Sequence, residues 1–203
     1  MGLLSAFISA IVDPSAQSRS ELKGAVGEAE GNLAFALFLP AEYVRFENLM
    51  IPTSNGTTEI DHVIVSPYGI FVVECKNWRG AIYGKPEERY WTVCLGPRKS
   101  WPLNPLFQNR GHIFALSKAL NLPERYFHSV VFFWSDFCEF KKPMPENVLR
   151  KGLCSHIKSK TKHLLSASEV REIVAELRLV AVPSTEEAKR AHVARLTAEF
   201  KKH

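Results

Sequence analysis

Cysteine is sparse in this sequence, and its placement excludes more than it suggests. The four residues, at 75, 94, 138 and 154, lie far apart with no C-x-x-C spacing, so no zinc site or disulfide framework can be read from them. Reduced thiols in a cytoplasmic setting are the expected state. Long apolar runs are missing as well. Leu3 to Val12 is apolar over about ten residues, against the roughly 20 that span a bilayer, and no basic segment precedes it. Ser5 and Ser9 fall one turn apart and soften one face of that run, which favours a short helix packing on or preceding the domain over an interfacial membrane anchor. Charge of one sign is not in large excess either. The 26 Lys and Arg against 21 Asp and Glu leave a net +5, no polycation but a mild bias towards an anionic partner such as nucleic acid. Internal repeats and low-complexity linkers are absent, and no heptad or large apolar stripe indicates an oligomeric state.

What is present is enough apolar material for one well-buried domain, 46% of 203 residues. The expected organisation is an N-terminal segment over 1–19 and a single domain over 20–203 ending in a helical extension. The spacing predicts a helix over 21–39, a strand over 43–49, two β-rich runs over 57–66 and 68–75, and short strands at 81–83 and 91–95. A charged tip at 84–89 separates the last two. A basic, aromatic loop at 96–101 leads to Asn104-Pro105, which resembles a helix cap and first helical residue, with the helix reaching about Asn121. Phe107, Phe114 and Leu116 to Leu120 are expected to supply its core face. The continuous apolar run Ser129 to Trp134 suits a buried strand reached by a crossover helix. One more strand is expected within 148–157, a helix over 168–177, and a final helix opened by the capping box Ser184 to Glu187. The fold class expected is therefore α/β, with a mixed central β-sheet flanked by helices.

The chemistry concentrates in the two β-rich runs. Ser66-Pro67-Tyr68-Gly69 pairs a fixed φ with a permissive one, as a tight reversal between Val- and Ile-rich flanks requires. If Val65 pairs with Ile70, counting outward sets Asp61 opposite Glu74 on one face of the sheet, with Lys76 two residues on sharing it. Glu59 would then sit opposite Lys76 as a neighbour of the cluster. A strand-end ion pair is the plain explanation for any one of these residues. Together, two facing carboxylates repel unless a cation or proton lies between them, and their oxygens suit Mg²⁺ or Mn²⁺. Lys76 would be placed to hold a phosphate oxygen or the attacking water.

At these residues the sequence resembles the nuclease-related domain (NERD) family of the PD-(D/E)XK, restriction-endonuclease-like superfamily. Lys23-Gly24-Ala25-Val26-Gly27-Glu28 resembles its opening helix. Ile60-Asp61-His62-Val63 and the run from Gly69 through Glu74-Cys75-Lys76-Asn77-Trp78 to Gly80 resemble its core, and Asn104-Pro105-Leu106-Phe107-Gln108 its second helix. The resemblance implies an α-β-β-β-α-β core in which Asp61 and Glu74 bind a divalent metal, Lys76 assists water attack on a phosphodiester, Glu28 joins the acidic cluster and Gln108 reaches in from the second helix. By itself Glu28 would be a solvated helix carboxylate. His112, one turn after Gln108, is expected to be a packing or surface histidine.

Trp78, Trp91 and Trp101 follow the proposed catalytic strand together with Arg79, Lys85, Arg89, Arg98 and Lys99. Trp78, Arg79, Arg98 and Lys99 are the expected nucleic-acid contacts, by stacking and phosphate pairing, while core burial is the plain expectation for each Trp. The expectation is a metal-dependent nuclease acting on nucleic acid, DNA before RNA, with no small-molecule cofactor. The alternative is a catalytically silent nucleic-acid-binding or adaptor module on the same fold.

Overall fold

The computed structural model describes residues 39–182, apart from Asn55 and Asp136. The chain divides into two compact units, 1–39 and 40–203, and every element described below belongs to the second. Glu28 and the helix expected around it, the Leu3 to Val12 run and the final helix after Ser184 lie outside the described residues.

Strands β1 (Val44–Thr53), β2 (Gly56–Ser66) and β3 (Gly69–Lys76) form an antiparallel meander. The β2–β3 turn has the expected register: Val65 pairs with Ile70, Ile64 with Phe71 and Val63 with Val72. Gly69 has φ 120°, a conformation only glycine adopts readily, and a side chain there would meet His128 and the Tyr126 carbonyl at 2.9 Å. Next come β4 (Gly80–Tyr83), β5 (Thr92–Leu95) and β6 (Arg98–Ser100), then helix α1 (Pro105–Ala119) and β7 (Phe127–Phe133). The described chain closes with β8 (Cys138–Phe140), β9 (Val148–Leu149), α2 (Leu153–Lys158) and α3 (Ala167–Val180).

One sheet runs β1-β2-β3-β7-β9 and a second β6-β5-β4-β8. β3 is thus interior, antiparallel to β2 and parallel to β7, with Lys76 beside Phe133. A parallel neighbour requires a crossover, which α1 supplies. This is a mixed α/β fold; with the second sheet's β4 to β6 set aside, the order β1-β2-β3-α1-β7 is compatible with the expected core.

Burial of apolar side chains between sheet and helices holds the elements together. Val63, Val65, Ile70 and Val72 pack with Ile113, Leu116 and Leu120 of the α1 segment and with Ile173, Val174 and Leu177 of α3. Each fully buried Leu or Ile contributes roughly 1.5–3 kcal/mol relative to exposure. On the second sheet, Ile82 and Trp91 cluster with Val131 and Phe133.

Several expectations are corrected. The loop expected at 96–101 is a hairpin: Gly96 (φ 58°) allows Arg98–Ser100 to fold back on Thr92–Leu95. All three β6 residues are exposed, so no apolar alternation announces the strand. The first strand continues past Leu49 to Thr53, β8 is not announced by any sequence pattern, and the 148–157 segment splits into β9 and α2. Helix α3 begins one residue earlier than expected and runs to Val180, with Ser166 as its N-cap in a capping box with Glu169. Phe114, expected in the core, is 55% exposed, because α1 turns Asn109 and His112 inward instead.

Candidate active site

The sheet face covered by α1 carries Val63 and Val65 on β2 and Ile70 and Val72 on β3. Two residues further along β3, the same face presents Glu74 and then Lys76. The site is therefore the end of an otherwise apolar face, and charges there are held by partners instead of by water.

Asp61 sits where β2 loses regular pairing on both sides. Its ladder with β3 ends at His62–Val73. Towards β1, Glu47 pairs with His62 and Leu49 with Ile60, but Asn48, between them, has φ 49°. That kink shifts the alternation by one: Val44 and Phe46 pack on the same core as Leu49 and Ile51, and Ile60 joins Val63 and Val65. A one-residue shift exchanges the faces of a strand. Glu59, expected beside Lys76, instead pairs with Met50 on β1, and Thr58 takes the face towards α1. Freed from the ladder, the Asp61 carboxylate accepts the Cys75 backbone N–H through Oδ2 at 2.7 Å, standing in for the missing strand bond.

Glu74 is 2% exposed. Its Oε1 accepts from Lys76 Nζ at 2.5 Å, and its Oε2 lies 3.1 Å from His112 Nε2. Lys76 Nζ also donates to Gln108 Oε1 at 3.0 Å and lies 5.9 Å from the centre of the Trp78 ring. His112 Nδ1 is 2.9 Å from Thr58 Oγ1. Asp61, Glu74, Lys76 and Gln108 are thus brought together; Glu28 lies outside the described residues.

The electrostatics separate the two carboxyls. Burial, then the neighbouring Glu74 charge, pushes Asp61 up to about 6, against the lowering effects of the Cys75 N–H, Lys76 and His112. Burial would raise Glu74 too, but the His112 hydrogen bond and the Lys76 charge outweigh it and hold the carboxyl below its usual range. One carboxyl is thereby anchored as an anion, and beside it stands a second whose charge lacks a comparable partner.

Helix α1 is positioned by two asparagines. Asn104 caps it, Oδ1 accepting from the Leu106 N–H at 2.9 Å, while Nδ2 donates to the Pro86 and Glu88 carbonyls at 3.0 and 2.8 Å. Asn109, fully buried, donates through Nδ2 to the Val72 and Val130 carbonyls at 2.9 and 3.1 Å. Its amide bolts the helix across β3 and β7, and the two carbonyls fix which end of the amide faces them.

Of the expected nucleic-acid contacts, Trp78 is half-buried against Phe133 and Trp91, at ring-centre distances of 5.5 and 6.4 Å. Trp91 is wholly buried, and Trp101 is 66% exposed. Arg79 is exposed and lies over the Phe137 ring at 4.6 Å, and Arg98 and Lys99 are exposed on the β5–β6 hairpin. The sequence pattern points to neither Thr58 nor Asn109, and His112, expected as a packing or surface histidine, is instead engaged by Glu74 and Thr58. The available signal for His112 was its position one turn beyond Gln108; for Thr58 there was none, because its orientation depends on the kink.

Among the described residues, no group of three His, Cys, Asp or Glu side chains is arranged to hold a metal, and no helix is long and apolar enough to cross a membrane. An uncharacterized protein of Bacillus anthracis is 38% identical to this chain over 95 residues, which span 46% of this chain and 45% of that protein. A crystal structure of a protein of unknown function aligns with 75% of this chain and 96% of its own at 14% identity, with a TM-score of 0.28, too distant a likeness to argue from. The model of the nuclease-related domain matches residues 23–134, a stretch that takes in β1 to β7 and every residue of the cluster around Glu74, and the chain belongs to that family.

Proposed function

We propose that the protein is a divalent-metal-dependent nuclease that hydrolyses phosphodiester bonds, DNA before RNA. The observation that carries this is the Asp61–Glu74–Lys76 cluster, two carboxyls and an ammonium gathered at one end of β2 and β3 and bonded within the protein. The donor set fits a hard cation: carboxylate oxygens on adjacent strands are what Mg²⁺ and Mn²⁺ take, and the charge pressing on Asp61 is what such an ion relieves. Asp61 and Glu74 would hold the metal, with Glu28 joining them directly or through water as the family resemblance implies. Such an ion supplies a more acidic water and neutralises charge on a phosphate oxygen.

The protein's own groups do the rest. Lys76 stabilises developing negative charge or orients the water through an N–H, and Gln108 holds the ammonium in place from α1. The Glu74 carboxylate holds the Lys76 ammonium directed into the site. Arg79, Arg98 and Lys99 would pair with phosphates, and exposed Trp101 and half-buried Trp78 offer rings for base stacking.

Full-length protein incubated with Mg²⁺ or Mn²⁺ and a panel of single-stranded, duplex, nicked and branched DNA and RNA tests this directly. Cleavage should occur on at least one substrate and fall by about 10²–10³-fold in Lys76→Ala, the loss typical of removing one charge-stabilising donor. Asp61→Ala should abolish it and weaken divalent-ion binding. Binding of nucleic acid without cleavage by the wild type would instead favour the silent binding module.

A further inference from the structure

We infer that His112 is the residue that positions Glu74 for the metal, held in turn by Thr58; this rests on the metal-dependent function proposed above. Two spacings make the arrangement possible. Residues four apart on a helix rise about 6 Å, and residues two apart on a strand advance about 6.6 Å. Gln108 and His112 on α1 therefore match Lys76 and Glu74 on β3 rung for rung. Gln108 meets Lys76 at 3.0 Å, and His112 meets Glu74 at 3.1 Å. The pairing runs in opposite chain directions, as it must where a crossover helix lies antiparallel to its strand.

The His112 contact has features that simple packing does not require. The ring is 5% exposed, so water does not compete for its nitrogens. An ionised carboxylate only accepts hydrogen bonds, so Nε2 carries a proton towards Glu74 Oε2. Nδ1 is engaged by Thr58 Oγ1 at 2.9 Å, which fixes the plane of the ring. Thr58 reaches it only because the kink at Asn48 and Asp61 exchanges the faces of β2. One imidazole thus ties together β2, β3 and α1 at the carboxylate. A carboxylate offers about four lone-pair positions, and with Lys76 on Oε1 and His112 on Oε2, positions for a cation remain. Carboxylates that ligate metals are characteristically hydrogen-bonded from behind in this way, and removing such a partner typically weakens metal affinity by about 10–100-fold.

The experiment titrates full-length wild type, His112→Leu, His112→Gln and Thr58→Val with MnCl₂ by calorimetry, and records each melting midpoint without metal. His112→Leu keeps the packing volume and removes the donor, and should weaken Mn²⁺ binding by about tenfold or more. His112→Gln retains an N–H donor of similar reach and should bind close to wild type. Thr58→Val should weaken binding in the same direction by less, since it frees the ring without removing it. Mn²⁺ binding by folded His112→Leu equal to wild type would overturn the inference while leaving the proposed function standing. If His112→Leu does not fold, undiminished binding in Thr58→Val together with a loss in His112→Gln equal to that of a random core change would overturn it. A wild type that takes up no Mn²⁺ would overturn the proposed function and this inference with it.

Discussion

Asn48 occupies the left-handed backbone region, which costs an L side chain about 1–2 kcal/mol and which Asn enters more readily than most. Its side chain is exposed, so that conformation and not packing decides what substitution does. Asn48→Gly should leave the urea unfolding midpoint nearly unchanged, whereas Asn48→Val should destabilise the protein by about 1–2 kcal/mol. If Val were accommodated as a regular strand residue, Asp61 would be drawn back into the ladder, and the stability and the site would change together. The register of β2 with β3 is legible from residue count, because the turn at Ser66–Gly69 fixes it and an apolar face enforces it, but the count does not foresee that Asp61 leaves the ladder for the Cys75 N–H. Thr58 is not legible, because a single backbone angle on a different strand decides which way it points. His112 is half legible: its helical phase is visible, but the inward turn of a polar residue is not, since apolar periodicity would have put Phe114 inside.

At the scale of elements, α1 matters most, since it carries both Gln108 and His112 and its start is held by one side chain. Asn104 is fully buried and serves both the helix cap and the 85–88 turn. Asn104→Asp keeps the accepting oxygen and discards the donor, placing a second acceptor among carbonyls. It should destabilise by more than the roughly 1 kcal/mol of a lost cap, towards 2–4 kcal/mol when the unpaired carbonyls are included. Denaturant unfolding measures the loss, and hydrogen exchange should show it concentrated in the first turn of α1; a substitution without effect would mean that the 85–88 turn is held by other contacts. The cap and the Pro at the first helical position make α1 easy to find in the sequence. The strands of the second sheet are harder, because β6 and β8 are three residues each and lack a two-residue alternation of burial long enough to read. Their pairing is set by the turns and by β4, information distributed over some 60 residues.

For the molecule as a whole, acid stability offers a test remote from the site. His128 stacks on Phe71 with ring centres 4.7 Å apart, and its Nε2 lies 3.0 Å from the Tyr68 carbonyl. Burial depresses its pKa below 6.5, against the raising effect of the Tyr68 carbonyl, and Lys160 adds to the depression. The unfolded chain therefore binds this proton more readily than the folded one. Its contribution to stability is fully present above pH 6.5 and is lost as pH falls from 6.5 through the lower folded value. Between pH 7.5 and 5 the urea midpoint should drop further in the wild type than in His128→Gln; equal drops would show that His128 does not titrate differently in the two states. The parallel pairing of β3 with β7 has a consequence of another kind. A ribosome delivers β2 and β3 first, so the carboxyls of Asp61 and Glu74 can meet on a hairpin formed early in synthesis. Gln108 and His112 emerge some thirty residues later, and β7 after them. Chains fold as domains during translation and local contacts form before distant ones, so a nascent chain carries its acidic pair for a time without the helix that orders it. The contacts of Lys76 with Gln108 and of Glu74 with His112 form only when α1 closes over β3, so the cluster is completed late in synthesis.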